Sequence, residues 1–202
     1  MRKLIDELIV DIPKDVYDPA EDSFLLAENV EIINHNKVLE VGSGSGYVSL
    51  YLAKKYPKAD YFCLDINFAA AKATKENSKE NNLHLEVVNC DLMSSFVEKK
   101  IFEAYFDIIL FNTPYLPLNE NGKLALAWSG GKYGLETTRK FIVQLPRILK
   151  RNGRCYIVVS SKTDLAELEK LVLNINYKLT QIDEVKEGRE SIKLFLIEAN
   201  LS

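Results

Sequence analysis

The sequence predicts an α/β protein in which a mostly parallel sheet is covered by helices on both faces and ends in an antiparallel hairpin. Short apolar runs, rich in β-branched and aromatic residues, alternate with longer segments in which apolar residues recur at helical spacing. This alternation is typical of parallel strands joined by crossover helices. After residue 174 two strands follow each other without room for a helix between them, which predicts the hairpin.

The segments that carry this pattern can be assigned individually. The predicted strands are Lys37–Val41, Asp60–Leu64, His84–Val88, Phe106–Phe111, Arg154–Ser160, Tyr177–Lys186 and Ser191–Ala199. The predicted helices are Tyr47–Lys55, Phe68–Asn81, Leu135–Leu149 and Asp164–Asn174. Asn67 is the expected N-cap of the second helix, and Asn81-Asn82 its expected end. The stretch Leu116–Tyr133 has no clear periodicity, which in a loop of that length indicates function or disorder.

The composition fits one domain over residues 1–202, in which residues 1–34 form an extension ahead of the first predicted strand. Hydrophobic residues make up 47% of the chain, enough for a sizeable core. The net charge of −3 supplies no overall basic field, so nucleic acid is not an expected partner. No apolar run approaches the ~20 residues of a membrane span, and the acidic N-terminus does not suit a signal peptide. We therefore expect a cytoplasmic protein without a membrane partner.

Cysteine and histidine residues give no sign of a metal site or of a disulfide framework. Cys63, Cys90 and Cys155 are far apart, and the sequence has no Cys-x-x-Cys pair or cysteine–histidine cluster. Neither His35 nor His84 falls within a motif, so both are interpreted as surface or strand residues rather than as catalytic groups.

A glycine-rich loop, EVGSGSG at residues 40–46, joins the first predicted strand to the first predicted helix. Glycines allow a sharp turn and let a ligand approach the backbone, and the helix N-terminus adds amide donors. Tyr47 stands where the dinucleotide fingerprint has glycine or alanine, and no Gly-Lys-Ser/Thr follows as in a P-loop. The pattern instead resembles motif I of class I methyltransferases, whose sheet is seven-stranded and Rossmann-like. That resemblance implies S-adenosyl-L-methionine as cofactor and S-adenosyl-L-homocysteine as product.

The same resemblance assigns roles within the loop. It implies that Glu40 lies near the methionine end of the cofactor and that three glycines pass beneath it, namely Gly42, Gly44 and Gly46.

Acidic residues also end the next two predicted strands. Asp65 is placed to accept hydrogen bonds from the ribose hydroxyls, as in related nucleotide folds. Asp91, with Leu92 beside it, follows the third strand and is placed to accept from the adenine amino group. One such acid is commonly a solvated loop residue or a helix cap, but three acids at successive strand ends favour a cofactor site.

The tetrapeptide Asn112-Thr113-Pro114-Tyr115 follows the fourth predicted strand, on the same edge of the sheet as the glycine loop. An amide nitrogen is a poor nucleophile because its lone pair is delocalised. Two acceptors aimed at its hydrogens, the Asn112 side-chain carbonyl and the Thr113 backbone carbonyl, would hold it in line and favour its pyramidal form. Tyr115 would supply an aromatic face over the planar group. In isolation the same residues would make a plain turn, but their place after a strand favours catalysis.

Three further segments resemble the HemK/PrmC-type glutamine methyltransferases, specifically their short archaeal and eukaryotic branch. Val16–Leu26 is similar to the N-terminal signature of that branch, in which the hydroxyl at Ser23 contacts the cofactor. Ala127–Gly134 is similar to its substrate-side loop, and Gly188–Ser191 to the turn before its last strand. With Tyr115, the resemblance places three residues of the second segment against the substrate: Trp128, Gly130 and Gly131.

The chain departs from the family motif at one position. The usual motif is Asn-Pro-Pro-Tyr, and Thr113 stands in place of the first proline. The backbone carbonyl survives this change, but the locked φ of proline does not, and a new N–H appears.

The resemblance also implies a substrate and a partner. The substrate is the glutamine in the Gly-Gly-Gln loop of a class I translation release factor. The partner is a small zinc-binding activator protein, which in this branch adds a strand to the sheet edge and covers apolar surface. Leu4, Ile5, Leu8, Ile9 and the loop Leu116–Leu126 would either contact that partner or pack internally.

Other functions remain open on the sequence alone. A nucleic-acid methyltransferase acting on an exocyclic amino group of adenine or guanine would use nearly the same motif, although the acidic composition disfavours it. A lysine-directed methyltransferase suits Asn112 less well, because an amide carbonyl matches a planar group better than an ammonium. From a different class, a non-catalytic scaffold that binds the cofactor would tolerate the change at Thr113.

Overall fold

The computed structural model describes residues 1–114, 135–187 and 190–200. The strands within these ranges are β1 Arg2–Ile5, β2 Leu8–Asp11, β3 Lys37–Val41, β4 Asp60–Asp65, β5 Glu86–Asn89, β6 Phe106–Asn112, β7 Leu149–Ser160, β8 Tyr177–Glu187 and β9 Glu190–Ala199. The helices are α1 Glu21–Asn29, α2 Tyr47–Lys55, α3 Phe68–Glu80, α4 Ser94–Val97, α5 Glu136–Ile148 and α6 Leu165–Asn174, with a 3₁₀ turn at Lys100–Phe102. Among these described helices, none is long and apolar enough to cross a membrane.

The main sheet of the described chain has seven strands in the order β5-β4-β3-β6-β7-β9-β8. The pairs from β5 through β7 are parallel, and β9 is antiparallel to both β7 and β8. The predicted class I methyltransferase sheet, with its closing hairpin, is confirmed.

Alternate residues of the central strands contact opposite helical layers, as the two-residue period of a strand requires. On β6, Ile108 and Leu110 belong to the core that contains α1 and α2 side chains, whereas Ile109 and Phe111 belong to the core that contains α5 and α6 side chains. All four are almost fully buried. A strand covered on both faces needs a continuous apolar run, which is why FDIILF identifies β6 from the sequence.

Two strands begin more than one residue away from the predicted position, for identifiable reasons. The edge strand β5 begins at Glu86 rather than His84, because its ladder with β4 begins at Glu86. His84 is exposed, as expected of a surface residue. Strand β7 begins at Leu149, five residues before the prediction, and pairs there with Phe106 across an irregularity in register. Its first residues are mostly polar and partly exposed, so hydrophobicity gives no signal for them.

The N-terminal region contains two elements that the sequence does not predict. Strands β1 and β2 form a hairpin whose turn residues, Asp6 and Glu7, both have positive φ. Turns of this kind are normally signalled by asparagine and glycine, which are absent here. Leu8 packs internally and Ile5 is partly buried, while Leu4 is 74% exposed. Helix α1, over Glu21–Asn29, then packs against α2 through an edge-to-face contact of Phe24 and Tyr47.

Two asparagines, Asn77 in α3 and Asn81 directly after it, attach the hairpin to the rest of the fold. The Asn81 side chain accepts from the Ile9 N–H and donates to the Ile9 carbonyl, both at 2.8 Å. One helical turn earlier, Asn77 does the same with Asp11, at 2.9 Å for each bond. Each amide therefore satisfies β2 as a neighbouring strand would. Asn77 also donates to the Ser45 carbonyl at 2.9 Å, so the hairpin and the glycine loop share one buried residue.

We expect Asn77→Ala to lower the free energy of unfolding by about 2–3 kcal/mol, because three hydrogen bonds are lost and the Ser45 carbonyl stays buried without a partner from Asn77. The control is Glu76→Ala, at an exposed neighbour on the same helix, which should change stability by at most about 0.5 kcal/mol. Chemical denaturation measures both. Equal effects of the two substitutions would contradict the role of Asn77.

Candidate active site

The candidate site is a cavity of about 610 Å³ at the carboxyl edge of the four strands β3 to β6. Cavities of this size suit small-molecule ligands, and this edge is where open α/β sheets bind them. All the predicted cofactor residues line it except Gly46, and Thr113 and Pro114 line it as well. Tyr115, Trp128, Gly130 and Gly131 lie outside the described residues.

The glycine loop turns the chain from β3 into α2 with all three glycines at positive φ. At Gly46, φ is +83°, and a Cβ would lie 2.9 Å from Thr74 Cγ2 and 3.2 Å from Thr74 Cα. Gly46 therefore does not contact the ligand space but lets the loop lie against α3. The Thr74 hydroxyl fixes that approach by donating to the Gly44 carbonyl at 3.0 Å.

Glu40 lies under the glycine loop and is only 3% exposed. Its Oε2 accepts from the Ser49 backbone N–H at 3.1 Å and from the Ser49 hydroxyl. Burial raises the pKa of Glu40 to about 8, partly opposed by these hydrogen bonds. The carboxyl group is therefore mostly protonated at pH 7 in the free protein, and a cationic ligand nearby would favour its ionised form.

Asp65, at the end of β4, connects the glycine loop to the following turn. Its two carboxylate oxygens accept from Gly44 N–H and Asn67 N–H, each at 2.8 Å. Burial raises the pKa of Asp65, while the two amide donors act in the opposite direction. Asn67 is the predicted N-cap of α3, confirmed by its side chain accepting from Ala69 N–H at 2.9 Å. Each oxygen of Asp65 has a second lone pair for a ligand hydroxyl.

Beyond β5, the chain places Asp91 and Leu92 on the rim of the cavity. Asp91 is exposed, whereas Leu92 is buried and has a positive φ of 46°. The Cys90 thiol donates to the Leu92 carbonyl at 3.3 Å. At this turn the apolar Leu92 side chain is directed inward, with Asp91 beside it. An apolar side chain suits the face of an aromatic base, and a carboxylate suits the hydrogen-bond donors at its edge.

Asn112 ends β6 next to the glycine loop, because Val41 and Phe111 are register partners on the adjacent strands. Its side-chain carbonyl oxygen Oδ1 is buried and has no hydrogen-bond partner among the described residues. A buried unsatisfied acceptor costs free energy and requires an explanation. A ligand donor in the cavity would satisfy it.

Thr113 is 3% exposed and bonds to the neighbouring strand. Its backbone N–H and its hydroxyl both donate to the Val158 carbonyl of β7, at 3.2 Å and 2.6 Å. The N–H that replaces the usual proline ring is therefore satisfied within the sheet.

The N-terminal region supplies cavity walls that sequence reasoning assigned only in part. Ser23 lines the cavity as predicted, and its N–H and hydroxyl donate to Asp22 Oδ1 at 2.6 Å and 3.1 Å. Asp22 is 2% exposed and also accepts from the Tyr17 hydroxyl at 2.8 Å. Asn67 Nδ2 donates to the Asp15 carbonyl at 2.8 Å and holds this segment across the cavity. Tyr17 and Asp22 lie in the segment Val16–Leu26 that resembles the family signature, but the resemblance assigns a role only to Ser23 within it.

The opposite wall includes Ser160 and Glu190, which the sequence did not single out as site residues. The Ser160 hydroxyl lies 3.4 Å from Glu190 Oε2, and Lys162 forms an ion pair with the same carboxylate. Ser160 ends β7 at the carboxyl edge, so its place in the fold, rather than a motif, predicts its position.

Together these features fit S-adenosyl-L-methionine. The cavity has room for it, and the glycine turn brings backbone close to the ligand space. The buried acids Glu40 and Asp65 and the exposed Asp91 suit its cationic, hydroxyl and amino groups. The unpaired Asn112 Oδ1 lies where a second molecule could donate to it.

We expect Gly46→Ala to destabilise the fold more than Gly44→Ala. Both positions impose the left-handed cost of about 1–2 kcal/mol, but a Cβ at Gly44 meets only Tyr17 Cβ, at 3.9 Å. The clash with Thr74 adds to the cost at Gly46 alone. Denaturation of the two variants measures the difference, and indistinguishable midpoints would refute the close approach to α3.

The buried carboxyl of Glu40 should give the free protein a specific pH dependence. This group loses its proton near pH 4.5 in the unfolded chain and near pH 8 in the folded chain. Its stabilising contribution is therefore complete below pH 4.5 and declines as the pH rises towards 8. The glutamine of the Glu40→Gln variant stays neutral at every pH. The free energy of unfolding of this variant, relative to that of the unmodified chain, should therefore rise by more than about 1 kcal/mol from pH 5 to pH 8. If the free energies of unfolding of the two proteins changed in parallel with pH, the raised pKa of Glu40 would be contradicted.

Comparisons with known proteins agree with this geometry. The family described as methyltransferase small domain matches residues 14–190. A protein of Methanocaldococcus jannaschii, named as a candidate protein N5-glutamine methyltransferase, is 38% identical over 179 residues, with 87% of each chain covered. The Homo sapiens methyltransferase HEMK2 is 34% identical over 190 residues, with 89% of this chain and 88% of that protein covered.

A solved structure shares the fold. It is the E. cuniculi Mtq2–Trm112 complex, described as responsible for the methylation of the eRF1 translation termination factor. The TM-score is 0.72 at 22% identity, and the alignment covers 92% of this chain and 99% of that chain. The chain therefore belongs to the methyltransferase small domain family, as an S-adenosyl-L-methionine-dependent enzyme of the HemK/PrmC glutamine methyltransferase type in its short archaeal and eukaryotic branch.

Proposed function

We propose that this protein methylates the side-chain amide nitrogen of the glutamine in the Gly-Gly-Gln loop of a class I translation release factor. The observation that carries the proposal is the buried, unpaired Oδ1 of Asn112 at the edge of the cavity. The M. jannaschii relative, named for glutamine N5 methylation, supports an amide nitrogen as acceptor. The E. cuniculi complex, which methylates eRF1, supports a termination factor as substrate. Such a substrate places the reaction in the cytoplasm.

S-adenosyl-L-methionine, when bound, supplies an electrophilic methyl group on a sulfonium sulfur. In our proposal Glu40 and the glycine loop hold its methionine end, Asp65 accepts from its ribose hydroxyls, and Asp91 with Leu92 contacts its adenine. The segment 1–34 belongs to the same domain and covers the site through Tyr17, Asp22 and Ser23. The positions of these side chains around one cavity support the assignment.

The protein's contribution to the chemistry is positional. Asn112 Oδ1 accepts one hydrogen of the substrate amide and the Thr113 carbonyl accepts the other, which draws electron density onto nitrogen and orients its lone pair. The acceptors are fixed before the substrate arrives, so little reorganisation is needed. A strong general base is not required, because the proton on nitrogen becomes acidic once the new bond has formed. In this proposal Pro114 and Tyr115 complete the motif. The substrate is also contacted by Trp128, Gly130 and Gly131.

We also propose a small activator protein as partner, of the zinc-binding kind found in this branch. The support is the solved complex of a similar fold with Trm112. The edge strand β5 has a free hydrogen-bonding side within the described sheet, onto which such a partner can add a strand.

The decisive substitution is Asn112→Ala. We expect it to lower kcat by about 10²-fold or more, since an oriented group at the reacting centre is lost, while cofactor affinity changes by less than about threefold. Asn34→Ala, at an exposed turn residue far along the chain from the motif, serves as the control and should keep full activity. Transfer of radiolabelled methyl groups measures turnover, and calorimetry measures cofactor binding.

The acceptor is identified in the same assay. Release factor, release factor with Gln→Ala in its Gly-Gly-Gln loop, and total RNA are offered with and without the activator. Label that appears on the factor and vanishes with the glutamine substitution supports the proposal. Label on RNA alone would assign the protein to the nucleic-acid methyltransferases, and cofactor binding without transfer would make it a scaffold.

A further inference from the structure

Position 113 differs chemically from the usual family motif, and the structure shows what replaces the proline. The Thr113 hydroxyl donates to the Val158 carbonyl at 2.6 Å, and the Thr113 N–H donates to the same oxygen at 3.2 Å. Proline could form neither bond, because it has no N–H and no hydroxyl. Thr113 is 3% exposed and Val158 is fully buried, so water does not compete for this carbonyl.

The acceptor strand is a rigid support. Val158 pairs with Asn112 on β6 and with Leu194 on β9, so it lies in the interior of the sheet rather than at an edge. The two bonds from Thr113 extend the β6–β7 ladder one residue past the end of β6. The motif therefore begins in register with the sheet, directly after the Asn112 side chain.

The two bonds and the proline that follows together restrict the two backbone torsions that orient the Thr113 carbonyl. The N–H bond fixes the peptide plane between Asn112 and Thr113. The hydroxyl bond, through the stiff χ1 of a β-branched residue, fixes the rotation about the Thr113 N–Cα bond relative to that plane. The other torsion, ψ, is confined to the extended region because Pro114 follows. The Thr113 side chain and the following Pro114 thus hold the Thr113 carbonyl in one direction.

We propose that Thr113 is a positioning residue whose hydroxyl clamps the reacting motif to Val158 and thereby aims the Thr113 carbonyl and the Asn112 amide at the substrate nitrogen. The clamp takes over the restriction that the proline ring provides in the usual motif. This inference rests on the proposed function, since it concerns the same reaction.

The test compares three substitutions at this position. Thr113→Val keeps the shape and the N–H but removes the hydroxyl, and we expect kcat to fall about tenfold, as for the loss of one buried hydrogen bond. Thr113→Ser restores the hydroxyl, and Thr113→Pro restores the restriction by its ring, so each should recover most of that loss. The matched control is Thr180→Val, at an exposed position of β8. The cofactor affinity of each variant should stay within about threefold of that of the unmodified chain, because the Thr113 hydroxyl orients groups that face the methyl-accepting substrate.

A second measurement needs no methyl-accepting substrate. Hydrogen–deuterium exchange of the peptide that contains Phe111–Thr113 should accelerate in Thr113→Val and return towards the original rate in Thr113→Ser. Unchanged exchange in Thr113→Val would overturn the clamp, and faster exchange with unchanged kcat would overturn its positioning role. A Thr113→Pro variant as slow as Thr113→Val would overturn the equivalence of ring and hydroxyl. Failure of the unmodified chain to label glutamine would count against the proposed function, and the exchange rates would still decide on the clamp.

Discussion

The parallel pairing of β3 with β6 is the constraint on which the rest of the site depends. These two strands lie at the centre of the sheet, and their register places Val41 beside Phe111. The glycine loop follows Val41 and Asn112 follows Phe111, so both lie at the same level along the carboxyl edge of the sheet. A ligand held by the first is adjacent to the second without any further arrangement of the chain. A slip by one residue would turn Asn112 to the other face of the sheet.

The glycine loop needs support because its own backbone has little intrinsic preference for the observed turn. That support comes from buried polar groups that each serve two elements. Asp65 connects Gly44 to Asn67, Thr74 connects the loop to α3, and Asn77 connects it to the N-terminal hairpin. Because every member of such a network is satisfied, the network fixes one conformation rather than adding uncompensated polar burial. Asn112 Oδ1 is different, since it is buried within the same edge but has no partner in the described chain. This contrast is what supports Asn112 as the group that meets a substrate in the proposed mechanism.

The sequence predicts the sheet and most of the cavity, and its failures have physical causes. Buried parallel strands are apolar on both faces, so β3, β4 and β6 are evident, and glycine and acidic residues at their ends mark the cofactor side. The hairpin β1–β2 is not predicted because its strands have four residues each and it is held by Asn77 and Asn81, more than sixty residues away. Ser160 is missed because it contributes to the cavity by position and carries no local pattern, and Glu190 because the resemblance of Gly188–Ser191 marks a turn and not a site. The resemblance to a family finds Ser23 but not its partner Asp22, since a contact between side chains is not written in a motif.

The threonine in the reacting motif shows why a motif and the function it encodes are separable. A proline ring restricts φ in the folded and unfolded chain alike, and so lowers the entropy of unfolding. Two hydrogen bonds to the Val158 carbonyl restrict it only when β6 and β7 are paired. The threonine therefore makes the geometry of the motif conditional on the integrity of the sheet, whereas proline would supply it locally. In the proposed mechanism, the direction of the Thr113 carbonyl beside Asn112 must be preserved, and any residue that fixes this direction meets the requirement. A motif that demands the proline would exclude this chain, whereas the buried, unpaired amide oxygen of Asn112 next to a glycine turn supports the proposed site.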